Sequence, residues 1–121
     1  MHEDALAAGI GIFDLGFVLD EGIEKAIDDA LERLSHVDAI LVDFDIDVID
    51  RGQFPGAPGA RPGGLPVWDF FAAARRLAEE ERVRLVDLTE FDPGLDPSDL
   101  SGLTAARWVA EILAGFGRRM R

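Results

Sequence analysis

Twice as many acidic as basic side chains, 24 against 12, give this 121-residue chain a formal charge of −12 and a pI near 4.4, so nucleic-acid phosphates and anionic membrane surfaces would be repelled. A hydrophobic content of 48% excludes a disordered chain, and its length suits one modest domain. The absence of cysteine excludes disulfides and thiolate metal sites, so any metal must be held by Asp, Glu or His.

No basic, then apolar, leader opens the chain, and no apolar run approaches the ~20 residues of a membrane span. A soluble, cytoplasmic protein is expected, with neither nucleic acid nor membrane as partner.

In chain order, Gly9 to Leu15 (GIGIFDL) is an apolar run of strand length. From Gly22, the residues Ile23, Ala26, Ile27, Ala30, Leu31 and Leu34 repeat at the spacing of one helix face. Ala39 to Val48 alternates as a strand suited to a buried sheet. Gly52 to Pro66 (GQFPGAPGARPGGLP) is crowded with proline and glycine and predicts a shaped loop of the kind that lines sites. A helix through Trp68, Phe70, Phe71, Ala74 and Leu77 follows, then a third strand, Val83 to Leu88. Asp92 to Ser101 reads as a second loop. A helix from about Leu103 to Phe116 is expected to bury Ala106, Val109, Ile112, Leu113 and Phe116.

The order β-α-β-α-β-α predicts parallel strands with crossover helices, without repeats or linkers. Three parallel strands make a small sheet, and such sheets generally need cover on both faces. The pattern predicts part of something larger.

The stretch DFDIDVID, residues 43–50, raises a problem of charge. In an extended strand Asp43, Asp45 and Asp47 share one side, about 6.6 Å apart in Cα position, while Val42, Phe44, Ile46 and Val48 face the other. Either some of these acids are protonated, or a basic group such as Arg51 pairs with them, or a cation sits among them. Oxygen donors at the carboxyl end of a strand suit a hard ion such as Mg²⁺ or Mn²⁺. The plainer alternative is a set of solvated strand-end carboxylates. A calcium loop starting at Asp43 fails twice, with Val48 where Gly is required and Phe54 where Glu is required. A phosphatase-type D-x-D strand end of the haloacid dehalogenase kind wants Thr or Val four residues after its first Asp. Asp47 or Ile49 stands there instead, so that match is weak.

The longer stretch DFDIDVIDRGQFPGAPGARPGGL, residues 43–65, resembles the signature of the ureohydrolase family, which includes arginase, agmatinase and formimidoylglutamase. VDLTEFDPGLD, residues 86–96, resembles that family's D-I-x-E-x-x-P segment, and SGLTAARWVAEIL its last helix. The resemblance implies an arginase-like three-layer α/β/α fold around a parallel sheet, here a partial β-α-β-α-β-α unit. It implies a site with two Mn²⁺ ions that hydrolyses a guanidino or formimino group. By position Asp45 and Asp47 would be metal ligands, Asp45 bridging, and Glu90 would hold the cationic end of the substrate. A homo-oligomer is implied for the full-length protein.

Several positions depart from the family pattern. Asp43 stands where Ser is common and Arg51 where Pro is common, and GARPGG favours the formimidoylglutamase and agmatinase branches over arginase. The family's G-G-D-H and D-A-H-x-D motifs are missing, and the two histidines are His2 and His36. Residues 1–121 therefore correspond to the C-terminal part of one such domain, without its N-terminal metal-ligand half. The expectation is a hydrolase by family, inactive as this chain alone, and the alternative is a non-catalytic truncated subunit or interaction module.

Overall fold

The computed structural model describes residues 2–119 in two compact units, one ending at His36 and the other starting at Val37. The first contains α1 (His2–Ala7), α2 (Leu15–Glu21) and α3 (Ile23–Arg33). Helix α3 buries Ala26, Ile27 and Leu31, the stripe its spacing predicts. Gly22 separates α2 from α3 at a φ of 91°, a left-handed value that a side chain would resist, and its N–H bonds to Val18 O.

The strand expected over Gly9–Leu15 does not form. Asp14 instead caps α2 by accepting from Phe17 N at 2.9 Å, and Ile10 and Leu15 of the run stay exposed. The Phe13 and Phe17 rings meet edge to face, centroids 5.2 Å apart, and the Arg33 guanidinium lies 4.8 Å from the Phe13 centroid.

The second unit contains β1 (Ile40–Asp45), α4 (Val67–Glu79), β2 (Val83–Thr89) and α5 (Leu100–Arg119). The two strands pair in parallel through the α4 crossover, so the sheet has two strands where three are expected. Phe44 anchors its covered face, edge to face with Phe70 of α4 at 5.7 Å and with Trp108 of α5 at 5.3 Å. Strand β1 also stops earlier than its alternation predicts. The Asp45 carboxylate accepts from Asp47 N at 3.2 Å and turns Ile46–Val48 into a 3-10 turn, while Ile46 and Ile49, both 0% exposed, hold the turn inward.

Helix α5 buries a different face from the one expected. Ser101, Thr104, Ala105, Trp108, Glu111, Ile112 and Gly115 point inward, Ala106, Val109 and Leu113 are exposed, and Phe116 is half-buried. Two contacts with α4 account for this rotation. Gly115 lies so close to α4 that a Cβ there would stand 2.5 Å from Ala78 Cβ and 2.7 Å from Arg75 O. The buried Glu111 receives Arg75 Nε and Arg107 Nε, each at 2.6 Å. Burial alone would raise the Glu111 pKa, but these two guanidiniums outweigh it and hold the carboxyl below its ordinary value. Gly115→Ala should cost about 1–3 kcal/mol by overpacking. Adding Ala78→Gly should recover part of that loss, as chemical unfolding of the single and double variants would show.

Candidate metal and substrate site

The proline- and glycine-rich loop after β1 is folded around its own apolar residues, with Phe54, Ala57 and Ala60 all 0% exposed. Its two ends are pinned to the strand end. Leu65 N bonds to Val48 O at 2.7 Å, Asp50 N bonds to Leu65 O at 3.0 Å, and the Asp50 carboxylate accepts from Gly63 N at 2.6 Å and Gly52 N at 2.8 Å. Those amides, Gly63 first, hold the Asp50 pKa below its ordinary value. Arg51 Nη1 donates to Ala60 O at 3.2 Å and not to any of the neighbouring carboxylates, so it is not their counterion. Gln53 Oε1 accepts from Val67 N at 2.7 Å, satisfying a first-turn amide of α4.

The loop after β2 is fastened to the first. Asp92 N bonds to Gly56 O, and Gly56 N bonds to Ser101 Oγ, both at 2.8 Å. Asp96 organises this loop, accepting from Ser101 N at 2.6 Å and from Ser98 N at 2.9 Å. Hydrogen bonds from Ser101, then Ser98, hold its carboxyl far below the usual carboxylate range. A folded-state pKa below the unfolded value stabilises the fold above pH ~4 and is lost as pH falls toward the folded value. Asp96→Asn should therefore flatten the loss of stability below about pH 4, measured by denaturant midpoints across an acid series.

These two loops frame the sequence-predicted residues. Asp45 ends β1 and is the register partner of Thr89, the last residue of β2, which places Glu90 one residue beyond it. Glu90 has a φ of 61°, a left-handed conformation that a non-glycine residue adopts at a cost of about 1–3 kcal/mol and that clusters at functional sites. Asp47 is brought back beside Asp45 by the 3-10 turn rather than by strand alternation. Burial, then the charge and hydrogen bond of Asp45, then the charge of Glu90, push the Asp47 pKa up, with Arg61 opposing. Asp45, Asp47 and Glu90 thus share one electrostatic neighbourhood. Asp43 is tied locally instead, accepting from Thr89 Oγ1 at 2.9 Å.

Two further residues shape this neighbourhood. A Cβ on Gly59 would stand 1.7 Å from Asp47 Oδ2, so the loop backbone lies directly against that carboxylate. Arg61 Nη1 donates to Pro58 O at 3.1 Å and to Gly59 O and Ala60 O at 2.9 Å, holding the segment that touches Asp47. A basic residue inside an otherwise uncharged Pro/Gly loop is the signal that could have marked Arg61. Nothing local marks Gly59.

The carboxylates of Asp45 and Asp47 offer hard oxygen atoms of the kind a divalent cation takes. Among the described residues no group of three or more His, Cys, Asp or Glu is placed to hold a metal ion. The family's sequence model, described as Arginase family, matches residues 1–115. This chain belongs to the arginase family. A formimidoylglutamase of Halobacterium salinarum is 40% identical over 93 residues, 76% of this chain and 30% of that protein. An agmatinase of Bacillus subtilis is 33% identical over 78 residues, 64% of this chain and 27% of that protein. The crystal structure of Bacillus subtilis formimidoylglutamase superposes with a TM-score of 0.90 at 27% identity, over 95% of this chain and 36% of that one. This arginase-family chain therefore has the arginase-like α/β fold and spans about a third of the length of the relatives it matches.

Proposed function

We propose that this chain supplies the carboxylate side of a two-manganese hydrolase site acting on a linear amidine, of formimino or guanidino type. The observation that supports the reading is the placement of Asp45 and Asp47 side by side at the carboxyl end of β1, with a left-handed Glu90 just past the adjacent parallel strand and its charge felt at Asp47. The kinship with formimidoylglutamases and an agmatinase supports the choice of substrate class. Two Mn²⁺ ions, when bound, supply Lewis acidity and lower the pKa of water.

The chain's own residues have separate tasks in this reading. Asp45 and Asp47 hold the ions, and Asp45 also accepts the Asp47 amide, which fixes the turn joining the two ligands. Gly59, held through Arg61, keeps the loop against Asp47. Glu90, one residue past the Thr89 that pairs with Asp45, offers a carboxylate to the planar cation of an amidine, a charge-assisted contact. The whole chain acts as the C-terminal part of one such domain, in the reducing cytoplasm that its lack of cysteine suits.

Because the donor set is partial, the isolated chain should not turn over N-formiminoglutamate or agmatine with added Mn²⁺. A complex with the remaining family ligands should turn over one of them, and Glu90→Gln should raise KM or lower kcat while leaving the bound manganese at two per site. Full activity with Glu90→Gln would refute the role of Glu90. Turnover by the chain alone would refute the partial site. The same partial donor set also admits a non-catalytic module that keeps the fold; that reading predicts no selective uptake of Mn²⁺ at β1.

A further inference from the structure

Two guanidiniums share one acceptor in the loop that lies against Asp47. Arg51 Nη1 donates to Ala60 O at 3.2 Å and Arg61 Nη1 to the same oxygen at 2.9 Å, so these nitrogens are no farther apart than the two bonds laid end to end. Like charges at that separation repel. Both residues are exposed, and among the described residues neither has a carboxylate within ion-pair distance, in a chain where acids outnumber bases two to one. Their bonds to loop carbonyls all use Nη1, whereas a guanidinium carries five N–H donors in a planar fork that matches a carboxylate. The loop therefore occupies one corner of each fork. Arg61 is also tied to the residue that meets Asp47: its Nη1 donates to Gly59 O at 2.9 Å, and the Gly59 backbone lies directly against Asp47 Oδ2. The Arg61 charge is felt at Asp47, where it opposes the rise of that carboxyl's pKa.

We propose that Arg51 and Arg61 form the subsite for a carboxylate of the substrate, so that the amidine hydrolysed belongs to an amino dicarboxylate of the N-formiminoglutamate kind and not to an amine such as agmatine. This rests on the amidine reading above and assigns the other end of the substrate. In N-formiminoglutamate the amidine nitrogen is bonded to the carbon that bears one carboxylate, and a second carboxylate lies two methylenes beyond. An amidine held at Glu90 and the end of β1 thus carries a carboxylate a few bonds away, which a cationic pair takes by charge-assisted hydrogen bonds. Agmatine ends in an ammonium, which the same pair repels. Asp45, Asp47 and Glu90 would repel an acidic substrate unless cations stood beside them, and Arg51 and Arg61 are the only basic residues between positions 44 and 66.

The first test needs neither metal nor turnover. N-formylglutamate keeps both carboxylates and has a neutral amide in place of the amidine, so it reports on the arginines without Glu90 or Mn²⁺. Titrated with chelator into the ¹⁵N-labelled chain, it should shift the Nε resonances of Arg51 and Arg61 and the Ala60 amide. Arg51→Gln or Arg61→Gln should weaken that binding about tenfold or more, and Arg51→Lys by less. Sodium chloride or cadaverine at the same concentration should leave these signals in place, and unchanged tryptophan fluorescence should certify that the variants fold. In the assembled enzyme Arg51→Gln should lower kcat/KM for N-formiminoglutamate about tenfold or more relative to agmatine. No shift around Ala60, shifts that chloride reproduces, or binding indifferent to the glutamines would overturn the proposal. Equal losses on the two substrates would also overturn it, because they assign the arginines to loop structure or to an acidic side chain of the assembly. N-formylglutamate bound at the pair in a chain that takes up no Mn²⁺ at Asp45 and Asp47 would sink the metal reading and leave the carboxylate subsite standing.

Discussion

Gly64→Ala is expected to lower stability by about 3 kcal/mol, toward the upper end of what overpacking costs. A Cβ at this position would meet Asp50 N and Val48 O at 2.7 Å and the Ile49 carbonyl carbon at 2.8 Å. All three are backbone atoms of the strand end, so no side chain can rotate away to relieve the contact. The bridge between Ile49 and Leu65 would open, and with it the bond from Leu65 N to Val48 O. Thermal unfolding followed by tryptophan fluorescence should show the midpoint falling by about 10 °C or more. An unchanged midpoint would mean that the loop is not fastened to the strand in this way. Gly63→Ala provides a different comparison: its φ of 83° is the difficulty, and open space surrounds it.

Asp47→Asn is expected to act in opposite directions on stability and on metal binding. Burial and the neighbouring Asp45 raise the Asp47 pKa above its unfolded value. The stability this residue contributes is therefore fully present below the unfolded pKa and is lost as pH rises through the folded one. At neutral pH the metal-free chain carries an unfavourable charge at this position, which asparagine removes. The variant should unfold at a higher temperature than the parent at pH 7, and the difference should vanish in acid where Asp47 is protonated. If Asp47 is the ligand proposed, the same change in a complete assembly should lower manganese affinity by more than the roughly 10–100-fold typical of losing a supporting group. Such a gain in stability with a loss of binding marks a group retained for function. A metal-free Asp47→Asn chain less stable than the parent at pH 7 would contradict this account.

The acidic strand, the loop after it and the positions of α3, α4 and α5 were legible in the sequence because their signals are local. Proline and glycine punctuate the loop, and helical spacing marks the helices. Three features depended on contacts that apolar spacing does not show. Gly9–Leu15 has strand length and apolarity, yet Asp14 caps a helix there and Phe13 packs on Phe17. The alternation through Asp47 broke because a side-chain cap competes with the extended chain. The buried face of α5 was chosen by Ala78 and Arg75 of α4, so the more apolar residues Val109 and Leu113 lost to Gly115 and Glu111. Asp45, Asp47 and Glu90 were named as candidates from the motif, and the local roles of Asp43 and Asp50 follow from their hydrogen bonds. Gly59 escaped notice because its role is a close approach that only the folded loop creates.

The central claim is that Asp45 and Asp47 form a cation-binding pair. Titrating the ¹⁵N-labelled chain with Mn²⁺ and mapping paramagnetic line broadening tests it most directly, because weak binding to a partial site still leaves a local signature. Broadening should centre on Asp45, Asp47, Gly59 and Glu90 and disappear with Asp45→Asn and Asp47→Asn together. Broadening centred on the acids of α3, with the end of β1 unaffected, would contradict it.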